Sequence, residues 1–179
     1  MPIQALEPVS QLALAILLSG AVWKDLVSRR IPNALVLWGL ITGLALSVTP
    51  HGIGLSSAIL GGMSGFLIFW ILYVMNSVGA GDVKLVAATG VFMGFPAVLH
   101  LSLSIFMVGG VLAVVWALWT SQLSLVFKNI RTGLALLWAF RQLPMDRQLE
   151  IFPVSRTRLP YALAVGLGTV WHFLNPWVF

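Results

Sequence analysis

From Leu55 to Met75 the chain runs through twenty-one residues (75 − 55 + 1) without one charged side chain. A helix needs roughly 20 mostly apolar residues to cross the hydrocarbon of a bilayer, so this stretch reads as a spanning helix. Composition says the same of the whole chain. Hydrophobic residues make up 59% of it and charged residues 8%, against about 25% charged in soluble domains. Mean hydropathy is +0.99. No water-soluble surface can be built from these residues. The expected class is all-α: a polytopic membrane protein whose 179 residues form one integral-membrane domain.

The helices are predicted in order. The first spans about Val9 to Trp23, with Pro2 to Leu6 able to extend it. A loop from Lys24 to Asn33 comes next, and Pro32 suits the first turn of the next helix, where its missing N–H costs nothing. The second helix runs about Asn33 to Val48 and ends at the turn cluster Thr49-Pro50-His51-Gly52. The third is Leu55 to Met75. Its Gly61, Gly62 and Gly65 allow a close approach of helix backbones. After Asn76 to Asp82 comes a fourth, about Val83 to Phe95, broken by Gly94-Phe95-Pro96. The fifth runs about Ala97 to Thr120 and the sixth about Leu159 to Val178. Trp171 and Trp177 suit the far interface. Between the last two, Ser121 to Arg158 mixes basic and apolar residues. This segment reads as an interfacial amphipathic helix with its basic groups at the lipid headgroups.

Six spans place the connections on alternating sides. All ten Lys and Arg residues fall on one of them: Lys24, Arg29, Arg30, Lys84, Lys128, Arg131, Arg141, Arg147, Arg156 and Arg158. The helix boundaries rest on hydropathy and turn residues, not on charge, so this asymmetry is an independent check. It marks that side as cytoplasmic. The formal charge of +5 thus belongs to topology. No basic cluster is dense enough to follow a phosphate backbone, which excludes nucleic acid. The chain has no cysteine, which excludes disulfides, thiolate zinc sites and a cysteine nucleophile. MPIQALEP lacks the basic start of a cleavable signal peptide, so the first apolar run is expected to remain as a membrane helix.

Two of the five acidic residues, Asp25 and Asp82, lie at the cytoplasmic ends of apolar segments. An ionisable group there is costly, and its default reading is functional. They are 57 positions apart (82 − 25), and the hairpin of helices 2 and 3 can return the chain to the same face. Two carboxylates that meet share a proton near neutrality. Such a pair suits amide hydrolysis without a metal or other cofactor. The ionised member takes a proton from the attacking water, and the protonated member supports the carbonyl and then the leaving amine. Gly79 and Gly81 are expected to supply positive φ and to let a substrate strand pass beside Asp82. The plainer alternative is that each aspartate caps a helix or pairs with a nearby base: Lys24, Arg29 and Arg30 for Asp25, Lys84 for Asp82. His51, His100 and His172 are scattered without metal-ligand spacing. Ser28, Ser77 and Ser155 lack a histidine on their side. Asp146 and Glu150, four apart beside Arg147, suit solvated ion pairs.

Asp25 followed by Arg30-Ile31-Pro32-Asn33, then Gly79-Ala80-Gly81-Asp82-Val83-Lys84-Leu85, resembles the type IV prepilin peptidases, which are membrane aspartyl proteases. Leu159-Pro160-Tyr161-Ala162 resembles the opening of that family's last helix. The resemblance implies that Asp25 and Asp82 are the catalytic pair and that Gly79 and Gly81 shape the second loop. Arg30, Pro32, Asn33 and Lys84 would support the site. It implies prepilin or pseudopilin substrates, cut after a glycine on the cytoplasmic side of the bacterial inner membrane. Membrane lipid and the pilus assembly machinery are the other implied partners. The absence of cysteine and the ten-residue connection between helices 1 and 2 resemble the short, peptidase-only form tied to tight-adherence (Flp) pili. No methyltransferase activity is therefore expected. Two other readings remain: a general intramembrane protease of the presenilin type, which shares Gly-x-Gly-Asp, and a non-enzymatic transport or assembly subunit.

Overall fold

The computed structural model describes residues 7–74, 78–119 and 161–175. Within them are six helices: α1 (Pro8–Ser28), α2 (Asn33–Ser47), α3 (Leu55–Val74), α4 (Ala80–Met93), α5 (Ala97–Trp119) and α6 (Tyr161–Leu174). The fold is all-α and polytopic, as the apolar runs predict. Contacts divide the chain into two compact units. One is Met1–Gly109 with Pro160–Phe179, and the other is Gly110–Leu159. The amphipathic helix expected between Ser121 and Arg158, with Asp146 and Glu150, lies outside the described residues, as do Ser77 and the Pro2 to Leu6 extension.

The membrane character shows in what faces outward. Leu12, Ile41, Ile71 and Val111 are among the many large apolar side chains left more than half exposed. α1, α3 and α5 are long and apolar enough to cross a bilayer. α2, α4 and α6 are shorter, at 15, 14 and 14 residues. For α4 the reason is visible. It packs against α1, α2, α3 and α6, and its residues from Leu85 to Met93 are buried except Ala87. A helix enclosed by other helices has no lipid to match in length. Its 14 residues rise only about 21 Å, against roughly 30 Å of hydrocarbon.

Lipid tails are as apolar as leucine, so helices in a membrane associate through close packing and hydrogen bonds. Here that packing centres on α3 and α4. A Cβ placed on Gly90 would come within 2.5 Å of the Gly61 carbonyl oxygen, and one on Gly65 within 3.1 Å of the Val86 carbonyl oxygen. The two backbones therefore touch without side chains between them. α4 ends at Gly94, whose φ of 71° is a left-handed conformation open to glycine. The Gly94 amide closes the helix on the Gly90 carbonyl at 2.8 Å. Ser57 then ties α3 to the turn, its Oγ accepting from the Phe95 amide at 3.2 Å.

Three sequence expectations change at the helix ends. α1 does not stop at Trp23; it continues to Ser28, so Lys24 and Asp25 are helical rather than in a loop. Nothing between Lys24 and Ser28 breaks a helix, and charged side chains leave the backbone ladder intact. The Arg29 amide still donates to the Asp25 carbonyl at 2.9 Å, with Arg29 in the left-handed region at φ 51°. Pro32 is the residue just before α2 rather than within its first turn. Its carbonyl accepts from the Leu35 and Val36 amides. α4 begins at Ala80, which moves Asp82 from a loop onto its first turn.

Candidate active site

The register of the α3–α4 contact sets the depth of Asp82. Gly61 lies against Gly90, and Gly65 against Val86. Continuing that antiparallel register puts Asp82 level with Phe69. Phe69 is five residues (74 − 69) inside the end of α3, about 7 Å along its axis. Asp82 is accordingly buried, 9% exposed. One of its oxygens, Oδ2, accepts from the Gly79 amide at 2.9 Å. This is half of a capping box, since glycine has no side chain to return the bond. A carboxylate in the first turn also lies favourably toward the helix dipole. The plain reading of Asp82 as a cap is thus part of its role.

Asp25 has no such local explanation. It sits in the last turn of α1, where the dipole disfavours a carboxylate, and it is only 7% exposed. Its partner comes from 137 positions away: the Ala162 amide, at the start of α6, donates to Asp25 Oδ2 at 3.1 Å. An N-terminal amide of one helix thereby offsets the unfavourable carbonyl end of another at Asp25. Arg29 also places its charge near Asp25. The residue before Ala162, Tyr161, packs its ring edge-on against Phe69, the α3 residue level with Asp82.

The flanking motif residues gather at the same end. Lys84 Nζ donates to Asn33 Oδ1 at 3.1 Å, joining α4 to α2. Gly81 lies against Ile31, where an added Cβ would meet the Ile31 Cβ at 3.3 Å. That is why a glycine suits position 81, and it corrects the expectation of positive φ. Gly79 has φ −83° and Gly81 is helical, so the two glycines supply a cap geometry and close packing. Pro32, just before α2, is half-buried. Arg30 is exposed, its carbonyl accepting from Ser28 Oγ at 3.3 Å. The arginine whose charge reaches Asp25 is its neighbour Arg29.

At the other end of the helices a cavity of about 290 Å³ is lined by Glu7, Ser10, Ser47 and His51 among others. Neither aspartate borders it. His100 and His172, scattered in sequence, interact electrostatically. No group of three or more His, Cys, Asp or Glu residues able to hold a metal occurs among the described residues.

Residues 12–118 match the model of the type IV leader peptidase family, more than half of the chain. The chain belongs to that family. A prepilin leader peptidase/N-methyltransferase of Myxococcus xanthus is 29% identical over 164 residues, which cover 83% of this chain and 49% of that protein. The protein of the same name from Pectobacterium carotovorum is 31% identical over 99 residues, 51% of this chain and 36% of its own length. The chain thus spans half or less of the length of these curated relatives. No solved structure matches it. The family match covers both aspartates and the helices α2 to α4 between and after them. It stops before α6, which the structure adds. The Ala162 amide and Tyr161 were not singled out from sequence as groups near the aspartates, and Arg29 was named there only as a possible ion-pair partner of Asp25. The Leu159-Pro160-Tyr161-Ala162 stretch carried the signal for two of them.

Proposed function

We propose that this chain is a prepilin leader peptidase, a membrane aspartyl endopeptidase that hydrolyses the leader of Flp-type prepilins after a glycine at the cytoplasmic face of the bacterial inner membrane. The observation that carries this reading is the start of α6. It donates to Asp25 on α1 through Ala162, and its Tyr161 ring packs edge-on against Phe69, which is level with Asp82 in the α3–α4 register. Both carboxylates are buried and come from distant parts of the chain. In the proposed reaction one aspartate takes a proton from water as the water oxygen attacks the scissile carbonyl. The other, protonated, donates a hydrogen bond to that carbonyl oxygen. The proton gained from water then goes to the leaving amine as the C–N bond breaks. The proposal covers hydrolysis alone.

The direct test mixes the purified protein, in lipid vesicles, with a synthetic Flp-type prepilin segment and reads the products by mass spectrometry. The expected result is a single cut after the glycine, and none when that glycine is replaced by leucine. Indifference to the glycine would turn the reading toward a general intramembrane protease, and no cut at all would refute it.

Arg29 supplies a second expectation. It holds a left-handed conformation at φ 51°, which glycine adopts at lower cost by about 1 kcal/mol. A large cation in that place is explained by its charge beside Asp25. Arg29→Gly is therefore expected to keep or slightly raise thermal stability in detergent while lowering the cleavage rate. Arg29→Lys should recover part of that rate. Unchanged cleavage in Arg29→Gly would remove Arg29 from the site.

A further inference from the structure

Tyr161 is held from two sides. Its ring meets Phe69 of α3 edge-on, with centroids 6.1 Å apart. Phe69 is in turn stacked on Phe106 of α5 at 5.0 Å. The second side is Gly109. A Cβ built there would lie 3.1 Å from the Tyr161 Oη and 3.4 Å from its ring carbons. The absence of a side chain at 109 is what leaves room for the phenol. Such edge-on and offset aromatic pairs are worth about 0.5–1.5 kcal/mol each beyond their buried area. They fix ring position as well as contributing energy. The seat is thus a rigid aromatic wedge between α3, α5 and α6.

The seat acts on the active site through the next residue of the chain. The Ala162 N–H is the donor on Asp25 Oδ2. The backbone link between the Tyr161 ring and that amide is short and sits in the first turn of α6. Moving the ring moves the amide. At the same level Phe69 lies opposite Asp82 in the α3–α4 register. From the seated ring the phenol is close enough to Asp82 to feel its charge.

We propose that Tyr161 is a positioning residue for the aspartate pair: its seat on Phe69 and Gly109 holds the Ala162 amide on Asp25 and keeps the phenol at the level of Asp82. This rests on the reading of Asp25 and Asp82 as the hydrolytic pair. The seat makes two separable contributions. The ring places the amide, and the hydroxyl adds a polar group at the level of Asp82. Tyr161→Phe keeps the first and removes the second, whereas Tyr161→Leu removes both. Gly109→Ala presses on the hydroxyl from outside without altering Tyr161.

The test measures leader cleavage by the full chain in vesicles, as kcat and KM across pH. Insertion and thermal stability of each variant are measured alongside. Tyr161→Leu is expected to lose about a hundredfold in kcat, the penalty typical of a misplacement near 1 Å, with KM within about twofold. Tyr161→Phe should lose less, and its pH profile should shift, because the group at the level of Asp82 has changed. Gly109→Ala should shift the profile in the same sense as Tyr161→Phe. A Tyr161→Leu protein with wild-type kcat and pH profile would overturn the proposal. So would a loss in proportion to unfolded protein that Tyr161→Phe repairs completely with an unshifted profile, since that marks a structural role only. Asp25→Asn and Asp82→Asn run in the same assay keep the two ideas apart. If they cleave normally the pair assignment fails, whatever Tyr161 does. If they are inactive and Tyr161→Leu is normal, only the Tyr161 proposal fails.

Discussion

Asp25→Asn and Asp82→Asn, each made singly, are expected to abolish leader cleavage, with losses on the order of a thousandfold or more in rate, while the protein inserts and folds as before. The choice of asparagine comes from the geometry. Asp82 accepts from the Gly79 amide, and Asp25 from the Ala162 amide. An asparagine carbonyl oxygen can accept both bonds, so the cap of α4 and the tie between α1 and α6 survive. What asparagine cannot do is exchange a proton with water or with the leaving amine. The expected change in stability is within about 1 kcal/mol, the usual worth of one cap or hydrogen bond. Alanine is the informative contrast. Asp82→Ala leaves the Gly79 amide without its acceptor, and Asp25→Ala does the same for the Ala162 amide. These should lose stability as well as activity. Cleavage assays in vesicles, paired with thermal melts in detergent, separate the two effects. Full cleavage by either asparagine variant would end the assignment of the pair.

Much of this architecture was legible because lipid makes simple demands. Apolar runs bounded by Thr49-Pro50-His51-Gly52 and by Gly94-Phe95-Pro96 announced helices where α2 to α5 stand. The motif residues around Asp25 and Asp82 announced a family that the match over residues 12–118 bears out. Each error has its own physical cause. Lys24 and Asp25 read as loop because charge usually marks the end of an apolar run. Yet backbone hydrogen bonding is indifferent to side-chain charge, and α1 continued to Ser28. Gly79 and Gly81 read as sites of positive φ because the letter does not say which property of glycine is used. At 81 it is the missing Cβ facing Ile31. The donor on Asp25 was hidden for a deeper reason. It is a backbone amide at the start of α6, and an amide has no letter of its own. Only Pro160 and Tyr161, marking a helix start after a long basic segment, hinted that an N-terminus was there to be used.

The most consequential substitution away from the aspartates is expected to be Gly90→Ala, in the middle of α4. By intrinsic propensity alanine favours a helix by about 1 kcal/mol over glycine, and in isolation the change would stabilise. Packing reverses the sign. The new Cβ would lie 2.5 Å from the Gly61 carbonyl oxygen and 3.0 Å from its carbon. Neither is the movable end of a side chain, so the helices themselves must separate. Reaching the lower edge of ordinary contact, 3.4 Å, requires about 0.9 Å (3.4 − 2.5). Overpacking of this kind costs about 1–3 kcal/mol, enough to exceed the propensity gain. The functional effect should be larger than the stability effect. α4 carries Asp82, whereas Asp25 is tied to α6, so a shift of α4 changes the relation of the two carboxylates. Displacements near 1 Å cost about a hundredfold in rate. Gly90→Ala is therefore expected to lower the thermal midpoint and to reduce cleavage per folded molecule by roughly that factor. Gly110→Ala is the control, because a Cβ there meets nothing within 4 Å. It should leave cleavage unchanged and stability equal or slightly higher. If Gly90→Ala matched Gly110→Ala in both measurements, the α3–α4 backbone contact would not be what sets the position of Asp82.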